Sequence, residues 1–308
     1  MNLKQNFQNQ IAESLFPGNL SEEKACFLRR FAPENHPDNR ASTNKEIAKL
    51  MREDLVVYCE NKINQTIRKV IEVVHKAYEE EMKADGVNTE ALLNLKAGGT
   101  LKGKEDEESH KKFSPWKEVY KWLWNHKYLR WVDINGWEIL KKQAKTAPDW
   151  IQFLTEQEMV SVGVGIRALK PLSPRSSARK IDPTIPINQP LLMIVDLAYP
   201  NYQMLVLYRS AEIKYVLCPS LGYAPNGVNQ PPMTLPQNKE RFTFEKLGKE
   251  EFLAIAVEKP VSLPWLIPRE EDPLPEWNAE RLKELFEQLE KQGNWQVFYQ
   301  IFEVVVMA

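Results

Sequence analysis

Gln203-Met-Leu-Val-Leu-Tyr-Arg-Ser-Ala-Glu-Ile-Lys-Tyr-Val-Leu-Cys218 decides the fold of the carboxyl-terminal half. Two apolar runs, Met204 to Tyr208 and Ile213 to Cys218, flank Arg209-Ser210-Ala211-Glu212, a connection short enough for a β-hairpin. Working outward, Phe252 to Val257 is a third apolar run, Pro275 to Gln292 has helical spacing, and Trp295 to Val306 alternates and closes a sheet. Upstream, Leu191 to Ala198 and Met159 to Val164 read as strands. Prolines at 171, 174, 183, 186 and 190 make the connection between those two extended and non-helical. Residues 159–308 therefore predict an antiparallel β-sandwich-like domain with one helix.

The amino-terminal half has a different period. Leu3 to Leu15 is amphipathic, Pro17-Gly18 interrupts it, and Ser21-Glu22-Glu23 starts a second short helix. Asn35 to Arg40 reads as a turn. Apolar residues from Ile47 through Val74 then predict one long helix, bent near Asp54. Residues 1–83 thus read as a helical bundle. Residues 84–114, with Gly98-Gly99, Gly103 and the charged run Lys104 to Glu108, read as a flexible linker or loop. Residues 115–158 carry six of the nine tryptophans, which predicts a helical hairpin packed on the bundle, turning at Asn135-Gly136. The fold class expected is α+β.

The order of several pieces resembles an uncharacterised bacterial β-domain family that recurs beside caspase-like peptidases, CHAT peptidases and kinases. The pieces are Val160 to Ile166, Asn188-Gln189-Pro190 leading into Leu191 to Asp196, Tyr202 to Tyr208, and Tyr215 to Ser220. Thr234-Leu235-Pro236 and Glu251 to Pro260 with Leu263-Pro264 complete the set, and together they cover about a third of the chain. The long proline-rich first connection departs from the family pattern. The resemblance implies a non-catalytic module in signalling or defence, with a protein partner such as a peptidase. Residues 1–150 resemble nothing recognised.

Composition narrows the classes further. With 41 basic and 42 acidic residues the net charge is -1, which excludes attraction of the whole chain to polyanions. No stretch approaches the roughly 18 apolar residues of a spanning helix, and no signal-like apolar run opens the sequence, so a cytoplasmic protein is expected. Cys26, Cys59 and Cys218 are odd in number and widely spaced, which argues against a disulfide framework.

Motifs for chemistry are sparse. GxxxxGK[ST], GxGxxG and GxSxG are absent, and Gly163-Val-Gly165 lies in a strand pattern. His36, His75, His110 and His126 have no metal-ligand spacing, so neither metal nor cofactor is expected. Cys218 could serve as a nucleophile with His126 or His110 as base, but its apolar setting favours packing. Thr43 to Leu50 resembles the first helix of a helix-turn-helix without the second.

Two segments are candidate binding sites. Between Lys111 and Trp150 nine basic residues face four acidic ones, and Trp122, Trp124, Lys127, Arg130 and Trp131 interleave rings with cations. Such interleaving suits single-stranded nucleic acid, although tryptophans at helical spacing more often build a core. Arg175, Arg179 and Lys180 form a basic stretch where a peptidase could cut. The function expected is a non-enzymatic interaction or regulatory protein, with a nucleic-acid-binding regulator using residues 111–150 as the alternative.

Overall fold

The computed structural model describes residues 3–34, 43–55, 57–94, 114–145, 150–161, 183–197, 203–227 and 232–306. The chain has an α+β fold in two compact units, Met1–Trp131 and Val132–Ala308.

The first unit is helical. In α1 (Leu3–Leu15), Leu3, Phe7 and Ile11 are buried at a spacing of four residues. Ser21 caps α2 (Glu22–Arg30), its hydroxyl accepting from the Lys24 amide at 3.1 Å. A reciprocal Thr43–Glu46 capping box starts α3 (Asn44–Asp54). The single long helix expected from Ile47 to Val74 is instead two. Leu55 is extended, a 3-10 turn spans Glu60–Lys62, and α4 (Ile63–Ala84) follows. The Val56-Val57-Tyr58 sequence has poor helix propensity, and the buried Tyr58 side chain anchors the break, its hydroxyl 3.4 Å from Thr66 Oγ1. α5 (Thr89–Asn94) forms where a loop is expected. Asn88 accepts the Ala91 amide at 3.0 Å, and Ala91 and Leu92 are buried.

The aromatic segment is one helical run and not a hairpin. α6 (Pro115–Trp122), a π-helical turn (Leu123–Lys127) and α7 (Tyr128–Gln143) follow without interruption, and the boundary between units falls inside α7. Asn135-Gly136, expected as a turn, is helical. A Cβ at Gly136 would lie 3.2 Å from Leu282 Cδ1 and 3.7 Å from Phe286, so the glycine admits a close helix crossing.

The second unit contains two sheets. β1 (Ile151–Leu154) precedes α8 (Glu156–Ser161), so Met159 to Ser161, expected to begin a strand, are helical. Thr155 and Glu158 form a capping box, with the Thr155 amide 2.7 Å from Glu158 Oε2. The remainder of that expected strand, along with Arg175, Arg179 and Lys180, lies outside the described residues. β2 (Thr184–Pro186), β3 (Leu192–Val195), β4 (Gln203–Arg209), β5 (Lys214–Cys218), β6 (Met233–Leu235), β7 (Gly248–Val257), α9 (Ala279–Gln292) and β8 (Trp295–Val305) complete the unit. The smaller sheet has the order β1-β3-β6, and the larger β2-β8-β7-β4-β5. Pairing is antiparallel except β2 with β8, which is parallel.

Period-two alternation assigns the faces of the large sheet. Met204, Val206 and Tyr208 of β4, with Phe252, Ala254 and Ala256 of β7, join Ile151, Met193, Val195 and Leu235 in one core between the sheets. The opposite face bears Arg209, which donates to Glu138 of α7, and Glu251, which accepts from Lys141 of α7 and from the Tyr299 hydroxyl. Two of the four sheet edges, β5 and β1, are covered. The extended segment at Pro275 and Trp277 pairs with β5, and the Gln300 side chain exchanges two hydrogen bonds with the Ile151 backbone on β1.

Candidate functional site

The five aromatic and basic residues singled out from sequence are committed within the first unit. Trp122 is 1% exposed and donates its indole N–H to Asp85 Oδ2 at 2.7 Å. Lys127 pairs with both Glu81 oxygens at 2.7 and 2.9 Å, and Arg130 bonds Glu81 and Asp85. Trp131 donates to Gln10 and Trp124 to the Phe31 carbonyl, while both rings contact Phe7. Nucleic-acid stacking needs exposed rings and unpaired cations. In the structure this group braces the 115–131 helix against α1, α2 and α4.

A cleft does lie beside Asp85, with Trp122, His126 and Lys121 in its wall. Its carboxylate is already saturated. Burial opposes ionisation there, but bonds from Arg130 and Trp122 and the nearby His126 outweigh it and hold the pKa below the ordinary value.

Cys218 offers no nucleophile. It is fully buried, burial pushes its thiol upward, and its Sγ lies 3.6 Å from the Met204 carbonyl. Among the described residues no group of three or more His, Cys, Asp or Glu is arranged to hold a metal ion, and no helix is long and apolar enough to cross a membrane.

The more distinctive site is in the second unit. Glu250 falls on the inward face of β7, in phase with Phe252, and is 6% exposed. The Tyr208 hydroxyl donates to its Oε2 at 2.5 Å. Among the described residues no hydrogen bond to Glu250 Oε1 is found, and Glu250 lines the adjoining cleft. That cleft, about 340 Å³, runs between the β4–β5 hairpin and the loop before β7. Its floor is Tyr208, Phe244 and Glu250. Across its mouth Lys246 Nζ and Glu212 Oε2 are 2.5 Å apart, and Ile213 and Leu247 are exposed at the rim.

Burial raises the Glu250 pKa, against the Tyr208 bond that lowers it. The Tyr208 phenol is raised too, by burial and by its acidic partner. Below the floor Phe153 is ringed by Phe242, Phe244, Phe252 and Phe302, with centroids 5.0 to 5.8 Å away, so the carboxyl stands at the mouth of an aromatic core. An acceptor oxygen at the base of an apolar recess is suited to recognise a donor. Sequence reasoning missed both residues. The available signal was phase: Tyr208 and Glu250 are the polar members of otherwise apolar inward rows.

Fold and cleft together define an α+β protein with a ligand-sized recess. Comparison with protein-family models, with curated proteins and with solved structures finds no match to the chain.

Proposed function

We propose that this chain is a non-enzymatic interaction or regulatory protein of bacterial signalling or defence, whose β-rich unit reads a partner through the Glu250 cleft. The observation that carries this reading is the open carboxyl oxygen of a buried glutamate at the base of a solvent-connected recess. An unused acceptor on a buried side chain is costly unless something occupies it part of the time. The resemblance to a domain family found beside caspase-like and CHAT peptidases and kinases supplies the partner class. Within that reading the chain is a peptidase partner or substrate, cut at Arg175, Arg179 or Lys180.

The test is to mix the full chain with a caspase-like peptidase, a CHAT peptidase or a kinase from the same organism. A stable complex in which hydrogen exchange slows across residues 208–213 and 243–250 supports the reading, and fragments ending at Arg175, Arg179 or Lys180 support the substrate form. An intact chain with unchanged exchange overturns both.

A further inference from the structure

We infer that the Glu250 cleft binds a positively charged nitrogen on an aliphatic stem, an alkyl ammonium or alkyl guanidinium such as a lysine or arginine side chain carries. The inference rests on the cleft being a recognition site and adds the chemistry of what it recognises. Among the described residues Glu250 Oε1 takes no hydrogen bond, while Oε2 accepts from the Tyr208 hydroxyl, so the carboxyl group is oriented before any ligand arrives. Tyr208 and Phe244 line the same cleft, and aromatic rings attract cations. Farther out, Ile213 is 36% exposed and Leu247 60% exposed, apolar groups placed where a methylene stem would pass. A volume near 340 Å³ is at the lower end of the range for small-ligand pockets and matches one long side chain, not a large cofactor.

Charge at the cleft has the right sign. Glu212, Glu245 and Glu250 line it against Lys246 and Lys249, and Lys246 is already paired with Glu212. A neutral or anionic ligand would leave the ionised carboxylate buried and unpaired, whereas a cation neutralises it. The groups facing Glu250 are Tyr208 from β4, Glu212 from the hairpin loop, Glu245 and Lys246 from the preceding loop, and Lys249 from β7. None of these is a histidine. Burial raises the Glu250 pKa, so cation binding must displace a proton wherever the carboxyl is protonated.

The experiment titrates the full chain, by calorimetry and by NMR shifts, with four probes: n-butylammonium, n-butylguanidinium, the neutral isostere 1-butanol, and a lysine blocked at both ends. The expected result is that the cations bind, shift the Tyr208, Phe244 and Leu247 signals, and bind more tightly as pH rises from about 5 to about 8, with proton release. Glu250→Gln is expected to weaken them about tenfold or more. The pH series needs only the unaltered chain, so the inference remains testable even if that variant folds poorly. Binding by blocked lysine as strong as by the free amine identifies a protein side chain as the source, and a preference for the free amine identifies a metabolite. If 1-butanol binds as well as the cations and without pH dependence, the charge assignment is overturned while the recognition reading survives. If no probe moves the cleft signals, both fall.

Discussion

Glu250 and Glu251 are neighbours on β7, yet they face opposite sides of the sheet and their carboxyl groups are displaced in opposite directions. Glu250 looks into the aromatic interior with the Tyr208 hydroxyl as its partner, and burial raises its pKa. Glu251 is partly buried, and that burial opposes its ionisation. Tyr299 at 2.6 Å, Arg209 and Lys141 at 3.2 Å outweigh that and hold its pKa below the ordinary value. One strand thus carries a strained acid and a satisfied one, separated by the pleat.

The signs of the two pH effects follow. A raised folded-state pKa at Glu250 gives a stabilising contribution that is complete below the unfolded value of 4.5 and lost as pH rises through the folded value. Glu250→Gln removes that loss. Urea denaturation is expected to find it as stable as the parent chain near pH 4.5 and more stable at about pH 8.

At Glu251 the depressed pKa gives stability that is present above 4.5 and lost as pH falls through the folded value. Glu251→Ala strands Arg209 and Lys141 in a partly buried network that also includes Glu138, and is expected to cost about 3 kcal/mol at neutral pH. The deficit should shrink on acidification, as read by urea denaturation followed through tryptophan fluorescence.

The bracing role of the aromatic segment has its own test. Trp122→Phe keeps most of the ring volume but removes the 2.7 Å bond to Asp85, and is expected to cost about 2 kcal/mol. The same segment is expected to give no salt-dependent anisotropy rise with a labelled single-stranded oligonucleotide, because Lys127 and Arg130 are paired within the fold.

Thiol chemistry separates the three cysteines. Cys59 is exposed, whereas burial pushes the Cys26 thiol up to about 12 and raises that of Cys218 as well. A colorimetric thiol reagent is expected to titrate one cysteine in the folded chain and all three in guanidinium chloride.

Gly136 tests the helix crossing. Alanine would gain about 1 kcal/mol of helix propensity but must displace Leu282 Cδ1 from 3.2 Å, so Gly136→Ala is expected to be near neutral. Gly136→Val adds two methyl groups at the crossing and is expected to lose about 2 kcal/mol in thermal or chemical denaturation.

Much of the architecture was legible in the order of the residues. The two half-chain periodicities assigned helices and strands because period 3.6 and period two are properties of the local backbone. The runs at Gln203 to Cys218 and Trp295 to Val305 folded as strands almost residue for residue, since each carries its own apolar burial. Errors arose where local signals have two outcomes. Asn135-Gly136 signals a turn in isolation, but the approach of Leu282 makes the glycine a contact point. Thr155 and Glu158 form a capping box that turned Met159 to Ser161 helical despite their strand-like run.

Sequence by itself determined the α+β class and the apolar phase of the strand runs it contains, such as Met204 to Tyr208 and Phe252 to Val257. Only the tertiary structure decided what the faces of β7 meet. Pairing of β7 with β4 places the Tyr208 ring beside Phe252 and its hydroxyl against Glu250, and α7 returns Glu138 and Lys141 to the Arg209–Glu251 pair. The cleft likewise exists only where the β4–β5 hairpin and the loop before β7, more than thirty residues apart in sequence, converge. The physical reason is range: strand phase is set by neighbours along the chain, whereas a carboxyl group's partners and solvation depend on contacts between distant segments.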